Sequence, residues 1–234
     1  FDCKFKLDDF FISGMRLVMD INVGTHDGVA AYLKVFRRIS RVKGFSPVSY
    51  ECFEDVDSFC LDGNSNGVEF MIYDLAGSYR KQLNEGDIGR KRFKELIKES
   101  EGILRTEVRL AKTKAVRVYA KEDIFRQIRN LSEKCQDIFL ETFVKIIPFG
   151  DFYKKGKTEE IIWREIKDAR LRRRMLRLVE LIPEKKSLYL AQKAMECRNM
   201  EKVVEAFAKI NISPLTISKR QDVKWLKNIY SYLI

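Results

Sequence analysis

The stretch GILRTEVRLAKTKAV, residues 102–116, alternates with the period of a β-strand. Leu104, Thr106, Val108 and Leu110 point to one side; Arg105, Glu107 and Arg109 point to the other. A strand with one apolar and one ionic face belongs to a sheet covered on one side. Two readings of the ionic face stand open. It is solvated surface with ordinary cross-strand Arg–Glu pairs, or it is the floor of a site that handles phosphate and a metal.

Working outward, FFISGMRLVMDINVG predicts a strand from about Phe11 to Val23, interrupted at Gly14. Met15, Leu17, Met19, Ile21 and Val23 share one face, and Arg16, Asp20 and Asn22 the other. A helix follows over HDGVAAYLKVFRRISRVKG, where Val29, Leu33, Phe36 and Ile39 recur at helical spacing and Gly44 supplies the stop. PVSYECF and SFCLD read as short strands, with NSNG as a turn before VEFMIYD. In that strand Val68, Phe70 and Ile72 oppose Glu69, Met71 and Tyr73. A charged helical stretch from about Gly77 to Ser100 leads back to the opening strand. The pattern predicts an α+β domain over residues 1–120, an antiparallel sheet with helices on one face.

Beyond Lys121 the texture becomes helical, and residues 121–234 are expected to form an all-helical domain. Ile124, Ile128, Leu131, Cys135, Ile138 and Phe139 trace a long amphipathic helix that Pro148-Phe149-Gly150 ends. KTEEIIWREIKDARLRRRMLRLVELI predicts one helix stopping before Pro183. Three shorter helices are expected after it: Ser187 to Cys197, Met200 to Lys209, and Pro214 to about Tyr232. The last two suit a helix-turn-helix near residues 199–234.

Forty-five Lys and Arg against 34 Asp and Glu give a formal charge of +11, the balance of a protein with a polyanionic partner. The five cysteines are odd in number and never spaced as CxxC. That argues against a disulfide framework or zinc site and predicts reduced thiols in the cytoplasm. His26 is the single histidine, which excludes a histidine-based metal cluster, and its place predicts only a surface residue opening a helix. No run reaches the ~18 apolar residues of a membrane span, and no signal peptide is visible, so no membrane partner is expected.

Three constellations carry candidate chemistry. If the ionic strand faces coincide, Asp20, Glu69 and Glu107 gather three carboxylates fit for Mg²⁺ or Mn²⁺, with Arg16, Arg105 and Arg109 beside them to hold phosphate. Tyr73 lies on the same face as a candidate attacking hydroxyl. The bland alternative is an open sheet face laced with ion pairs. In KDARLRRRMLRL, Lys167, Arg170, Arg174 and Arg177 share a stripe opposite Leu171, Met175 and Leu178. Such a ridge either tracks a phosphate backbone or is a solvated face partly paired with Glu165 or Glu180. At the C-terminus, Lys219 and Arg220, with Thr216, Ser218 and Gln221, would open the last helix and reach DNA, while Val223, Leu226, Ile229 and Leu233 pack inward. Plain three-helix packing explains the apolar pattern equally well.

The order LVMDINVG, GVEFMIYDLAGSYRKQL, ILRTEVRLAKTKAV resembles the rolling-circle replication initiators of the phage and plasmid replication-protein superfamily, over roughly residues 10–120. The resemblance implies a DNA endonuclease and strand transferase in which a tyrosine joins the 5′ phosphate with help from a divalent metal. Its partner would be single-stranded DNA or an origin hairpin. Matched onto this chain, Asp20 and Glu107 stand at acidic positions and Tyr73-Asp74 at the Tyr-Asp pair. Leu75 stands where a lysine is usual, SFCLDG stands where related plasmid initiators carry the nucleophile, and no His-hydrophobe-His motif exists. Tyr73, or Tyr79 a turn further on, would have to act instead. The sequence therefore predicts a DNA-binding replication initiator of a phage- or plasmid-like mobile element that nicks one strand. The alternative is a non-catalytic, basic DNA-binding relative. An enzyme acting on small phosphates is disfavoured for want of a Gly-rich phosphate loop.

Overall fold

A computed structural model describes residues 10–48, 56–63, 67–85, 90–121 and 123–233. Its first half is β1 (Met15–Asn22), α1 (His26–Phe36), β2 (Ser46–Pro47), β3 (Ser58–Asp62) and β4 (Val68–Asp74). Then come α2 (Leu75–Glu85), α3 (Arg90–Glu99), β5 (Ile103–Leu110) and α4 (Thr113–Tyr119). The five strands form one antiparallel sheet in the order β1-β5-β4-β3-β2. The α+β class expected from alternation is the class observed, and β5, the opening stretch, is an interior strand, hydrogen-bonded to β1 and β4.

The apolar faces coincide. Leu17, Ile21, Phe59, Leu61, Phe70, Ile72, Leu104, Val108 and Leu110 are all buried against α1, α4 and the long α5 (Ile124–Ile146). Thr106 lies in this layer too, with its hydroxyl unpartnered. The Thr25 side chain caps α1 by accepting from Gly28 N at 3.0 Å, and Asp27 in the first turn suits the helix dipole. Gly102 starts β5 at φ +75°, where a Cβ would sit 2.6 Å from the Gly24 carbonyl carbon. Only glycine lets the turn into β5 press against the turn out of β1, and Val23 N donates across that contact to Gly102 O at 2.8 Å. On the opposite face, α2 and α3 cover one end, with Tyr79 packed on Met71, Tyr73 and Leu75.

The second half runs α5, β6 (Phe152–Tyr153), α6 (Lys155–Glu165), α7 (Ala169–Lys185), α8 (Leu188–Ala194), α9 (Met200–Lys209), β7 (Trp225–Leu226) and a 3-10 turn at Ile229–Tyr232. Its apolar residues belong to the same buried cluster as the sheet, which extends from Leu17 to Ile229. Phe70 meets Phe143 at 6.1 Å between ring centroids, Phe36 meets Phe152 at 5.9 Å, and Tyr32 donates to Lys227 O at 2.7 Å. The change of texture near residue 120 therefore marks a change of class within one continuous core.

Several boundaries are corrected. The first strand begins at Met15 rather than Phe11. The first helix ends at Phe36, and Gly44, at φ +86°, serves a turn closed by the Val42–Phe45 bridge. The stretch after Gly77 is two helices. Of the expected PVSYECF strand only Pro47 is seen in a strand, β2, since residues 49–55 lie outside the described residues. The helix expected to end before Pro183 breaks earlier, where Asp168 accepts from Leu171 N at 2.8 Å and starts α7 afresh. The α7 helix then runs through Pro183, which lies in the last turn and removes a single backbone donor.

The largest correction concerns the C-terminus. The helix expected from Pro214 to Tyr232 does not form, and with it goes the recognition helix of a helix-turn-helix. Residues 212–217 are all buried and lie outside any helix. Ile212 bridges to Asp151 and Ile217 to Lys154. Ser213 N donates to Asp151 O at 2.8 Å and Ile217 N to Tyr153 O at 2.9 Å, while β7 pairs with β6. Backbone partners from a distant segment outweigh a helical apolar spacing, and β-branched Ile212 and Ile217 fit the bridging positions.

Candidate nucleic-acid interface

The open sheet face is built from cross-strand layers. Asp20, Arg105, Tyr73 and Ser58 face one another across β1, β5, β4 and β3. The next layer is Val18, Glu107, Met71 and Cys60, and the one after is Arg16, Arg109, Glu69 and Asp62. All the ionic residues expected on one face are on one face.

Register decides what they can do there. Glu107 sits at the centre, 2% exposed in its side chain. Its Oε1 accepts from the Tyr73 hydroxyl at 2.7 Å, and its Oε2 from Arg109 Nε at 2.9 Å, with Arg109 Nη2 at 2.8 Å and Arg16 Nε at 3.6 Å. Asp20 accepts from both Nε (2.7 Å) and Nη2 (2.6 Å) of Arg105 in a two-pronged pair. That pairing holds the guanidinium charged well above its ordinary range, against the smaller opposing effect of burial. Burial first, and then the bond to Glu107, pushes the Tyr73 phenol far above its ordinary value, so the hydroxyl keeps its proton.

The three carboxylates do not converge, which corrects the expected metal centre. Asp20 and Glu69 lie two strands and four residues apart on a diagonal with Glu107 between them. At ~4.8 Å per strand and ~3.4 Å per residue their Cα atoms are about 16 Å apart. Two short side chains and two metal–oxygen bonds of about 2–2.6 Å cannot span that. Mg²⁺ or Mn²⁺ therefore does not fit Asp20, Glu69 and Glu107 as a set. Among the described residues no group of three or more His, Cys, Asp or Glu is placed to hold a metal.

Of the tyrosines, Tyr73 is buried beneath the arginines and Tyr79 is half-buried, its ring edge-on to Phe93 at 6.3 Å. Asp74, next to Tyr73, points to the other side of the sheet. It is buried, with Oδ2 3.6 Å from His26 Nδ1 and 3.7 Å from Arg80 Nη1, and its Oδ1 has no partner. Arg80 also pairs with Glu101. This His26–Asp74–Arg80–Glu101 cluster escaped the sequence, whose only hint was that the chain's single histidine opens a helix.

A second basic surface lies on α7. The N-cap Asp168 carboxyl is held below its ordinary range chiefly by the Leu171 N–H, then by the Arg170 N–H, with the Arg170 and Arg174 charges adding at longer range. Arg177 pairs with Glu180 at 2.6 Å, which is the solvated-face reading for that residue. Arg170, Arg173, Arg174 and Arg198 form no ion pair with a described carboxylate. Arg170, Arg174 and Arg198, with Glu196, line a cleft of about 460 Å³ between the start of α7 and the α8–α9 turn. The other flank of α7 forms a groove of about 640 Å³ with α6. Lys219 and Arg220 occupy an exposed turn rather than a helix start, closed by Gln221 N donating to Ser218 O at 3.1 Å.

Among the described residues no helix is long and apolar enough to cross a membrane, and Cys135 and Cys197 are free thiols. Comparison of the chain with protein-family models, with curated proteins and with solved structures finds no significant match.

Proposed function

We propose that this is a DNA-binding protein of the replication-initiator type, serving a phage- or plasmid-like mobile element in the cytoplasm. The observation that carries the reading is the excess of positive charge on α7. Arg170, Arg174 and Arg198 line one cleft with Glu196, three cations to one carboxylate and no ion pair among the described residues, in a chain of formal charge +11. Guanidinium groups left unpaired in a concavity are matched by phosphate oxygens, and their binding releases counterions. The test is a gel shift with single-stranded and duplex DNA over a salt series. The expected result is steeply salt-dependent binding. In the Arg170→Ala/Arg174→Ala protein the slope should fall by about 0.7 to 0.9 for each phosphate that is no longer neutralised. Absence of binding at low salt would overturn the reading.

Strand nicking is the second reading, and the hydrogen bond between the Tyr73 hydroxyl and the buried Glu107 carboxylate favours it. In this reading the Tyr73 oxygen attacks phosphorus while Glu107 Oε1 takes its proton, and Arg105 and Arg109 hold the non-bridging oxygens. Displacement of the 3′ oxygen leaves the 5′ phosphate on the tyrosine. The check is a protein–DNA adduct that resists denaturation, assayed with added Mg²⁺ or Mn²⁺ and with chelator. Loss of the adduct in Tyr73→Phe but not Tyr79→Phe assigns Tyr73, and the reverse assigns Tyr79. No adduct in any condition leaves a binding protein alone.

A further inference from the structure

Trp163, in the third turn of α6, is 60% exposed, although its neighbours Ile161 and Ile162 are buried. One side of its ring is covered by the Arg172 guanidinium, 4.3 Å from the ring centroid. That guanidinium is itself tied down, since Nη1 donates to Ile166 O at 2.9 Å. The ring is thus braced from one side over the α6–α7 groove of about 640 Å³, the size of an ordinary small-ligand site.

The charges around the groove are unequal. Lys155 is opposed by Glu159 at 3.6 Å and Arg177 by Glu180 at 2.6 Å, so both carboxylates are engaged. Arg172 and Arg173, on the same lining, meet no described carboxylate. A braced aromatic plane next to two such cations matches an unstacked base with its phosphates: the base lies on the indole while the arginines take the backbone. Duplex DNA cannot supply that base, because its π-faces are already stacked. An acidic peptide would use the arginines and leave the indole idle.

We infer that the α6–α7 groove is a single-stranded DNA subsite in which a base stacks on Trp163 and the adjoining phosphates lie on Arg172 and Arg173. The inference rests on the DNA-binding reading and adds strand type and a contact residue to it. The chain has two tryptophans, so in the full chain carrying Trp225→Phe the emission reports Trp163 alone.

The protein is titrated with short oligo-dT, with an abasic oligomer of equal length, with duplex DNA and with polyglutamate. Oligo-dT is expected to quench the emission saturably. The abasic strand, equal in charge, is expected to bind more weakly without quenching. Trp163→Ala should weaken oligo-dT binding, read by anisotropy of a labelled strand, about 5- to 100-fold, and Trp163→Phe should restore much of it. Oligo-dT binding that leaves the emission and the Trp163→Ala affinity unchanged overturns the subsite while DNA binding stands. Quenching by polyglutamate equal to that by oligo-dT makes the groove a peptide site. Absence of binding to every DNA overturns the subsite together with the reading beneath it.

Discussion

The open sheet face and the outer side of α7 both spell their charge with arginine, LRTEVRL in one and ARLRRRMLRL in the other, yet they hold that charge differently. On the sheet each arginine meets a carboxylate: Arg105 meets Asp20, and Arg109 and Arg16 share Glu107. On α7, Arg170, Arg173 and Arg174 form no ion pair among the described residues, and Arg170 and Arg174 act on Asp168 only from a distance. The sheet brings side chains from separate strands to about 5 Å and lets opposite charges cancel. The helix displays its arginines to solvent, where only a ligand from outside neutralises them. A paired guanidinium contributes to folding, and an unpaired one is available for binding.

That contrast breaks most sharply at Glu107. Glu107→Ala leaves the buried Tyr73 hydroxyl and the half-buried Arg109 guanidinium without their carboxylate and should cost about 3 kcal/mol in a urea unfolding series. A loss under about 1 kcal/mol would mean the sheet face is ordinary surface. Gly102→Ala, which forces a Cβ into the Gly24 backbone at a left-handed φ, should cost about 2–3 kcal/mol by the same measurement. Arg105→Ala removes a pair whose Asp20 partner is 39% exposed in its side chain, so about 1 kcal/mol is expected. Arg174→Ala should change stability by less than about 0.5 kcal/mol while weakening DNA binding. The opposite ordering of these two arginines would invert the comparison.

The smallest effect is a matter of pH. The folded Tyr73 phenol holds its proton more tightly than the unfolded one, so its contribution to stability is complete below the unfolded value of about 10. That contribution is lost as pH climbs toward the higher folded value. Ultraviolet titration should show a late-ionising tyrosine that disappears in Tyr73→Phe. Tyr32 and Tyr230, also raised by burial, titrate late and remain in that variant.

Alternation was a dependable guide where it was strict. Residues 103–110 and 68–74 placed every side chain on the side it occupies, because a period of two survives any twist of the sheet. The same alternation could not say which layer each residue joins. It grouped Asp20, Glu69 and Glu107 by face, when a shift of four residues across two strands keeps Asp20 from Glu69. The C-terminus failed for another reason. Val223, Leu226 and Ile229 keep helical spacing, but the segment at residues 151–153 supplies the hydrogen bonds, and no local pattern announces a partner so far back in the chain. Asp74 and His26 are likewise distant in sequence and meet only because β4 and the start of α1 end side by side.

The chain's own order of residues determined the α+β class, the two faces of the sheet and the excess of positive charge. Each follows from short-range periodicity or from counting. Tertiary structure alone decided which arginines are neutralised, where Trp163 finds its brace, and that the last segment is threaded rather than helical. Those outcomes depend on distances between residues far apart in sequence, set by register and by burial in a shared core.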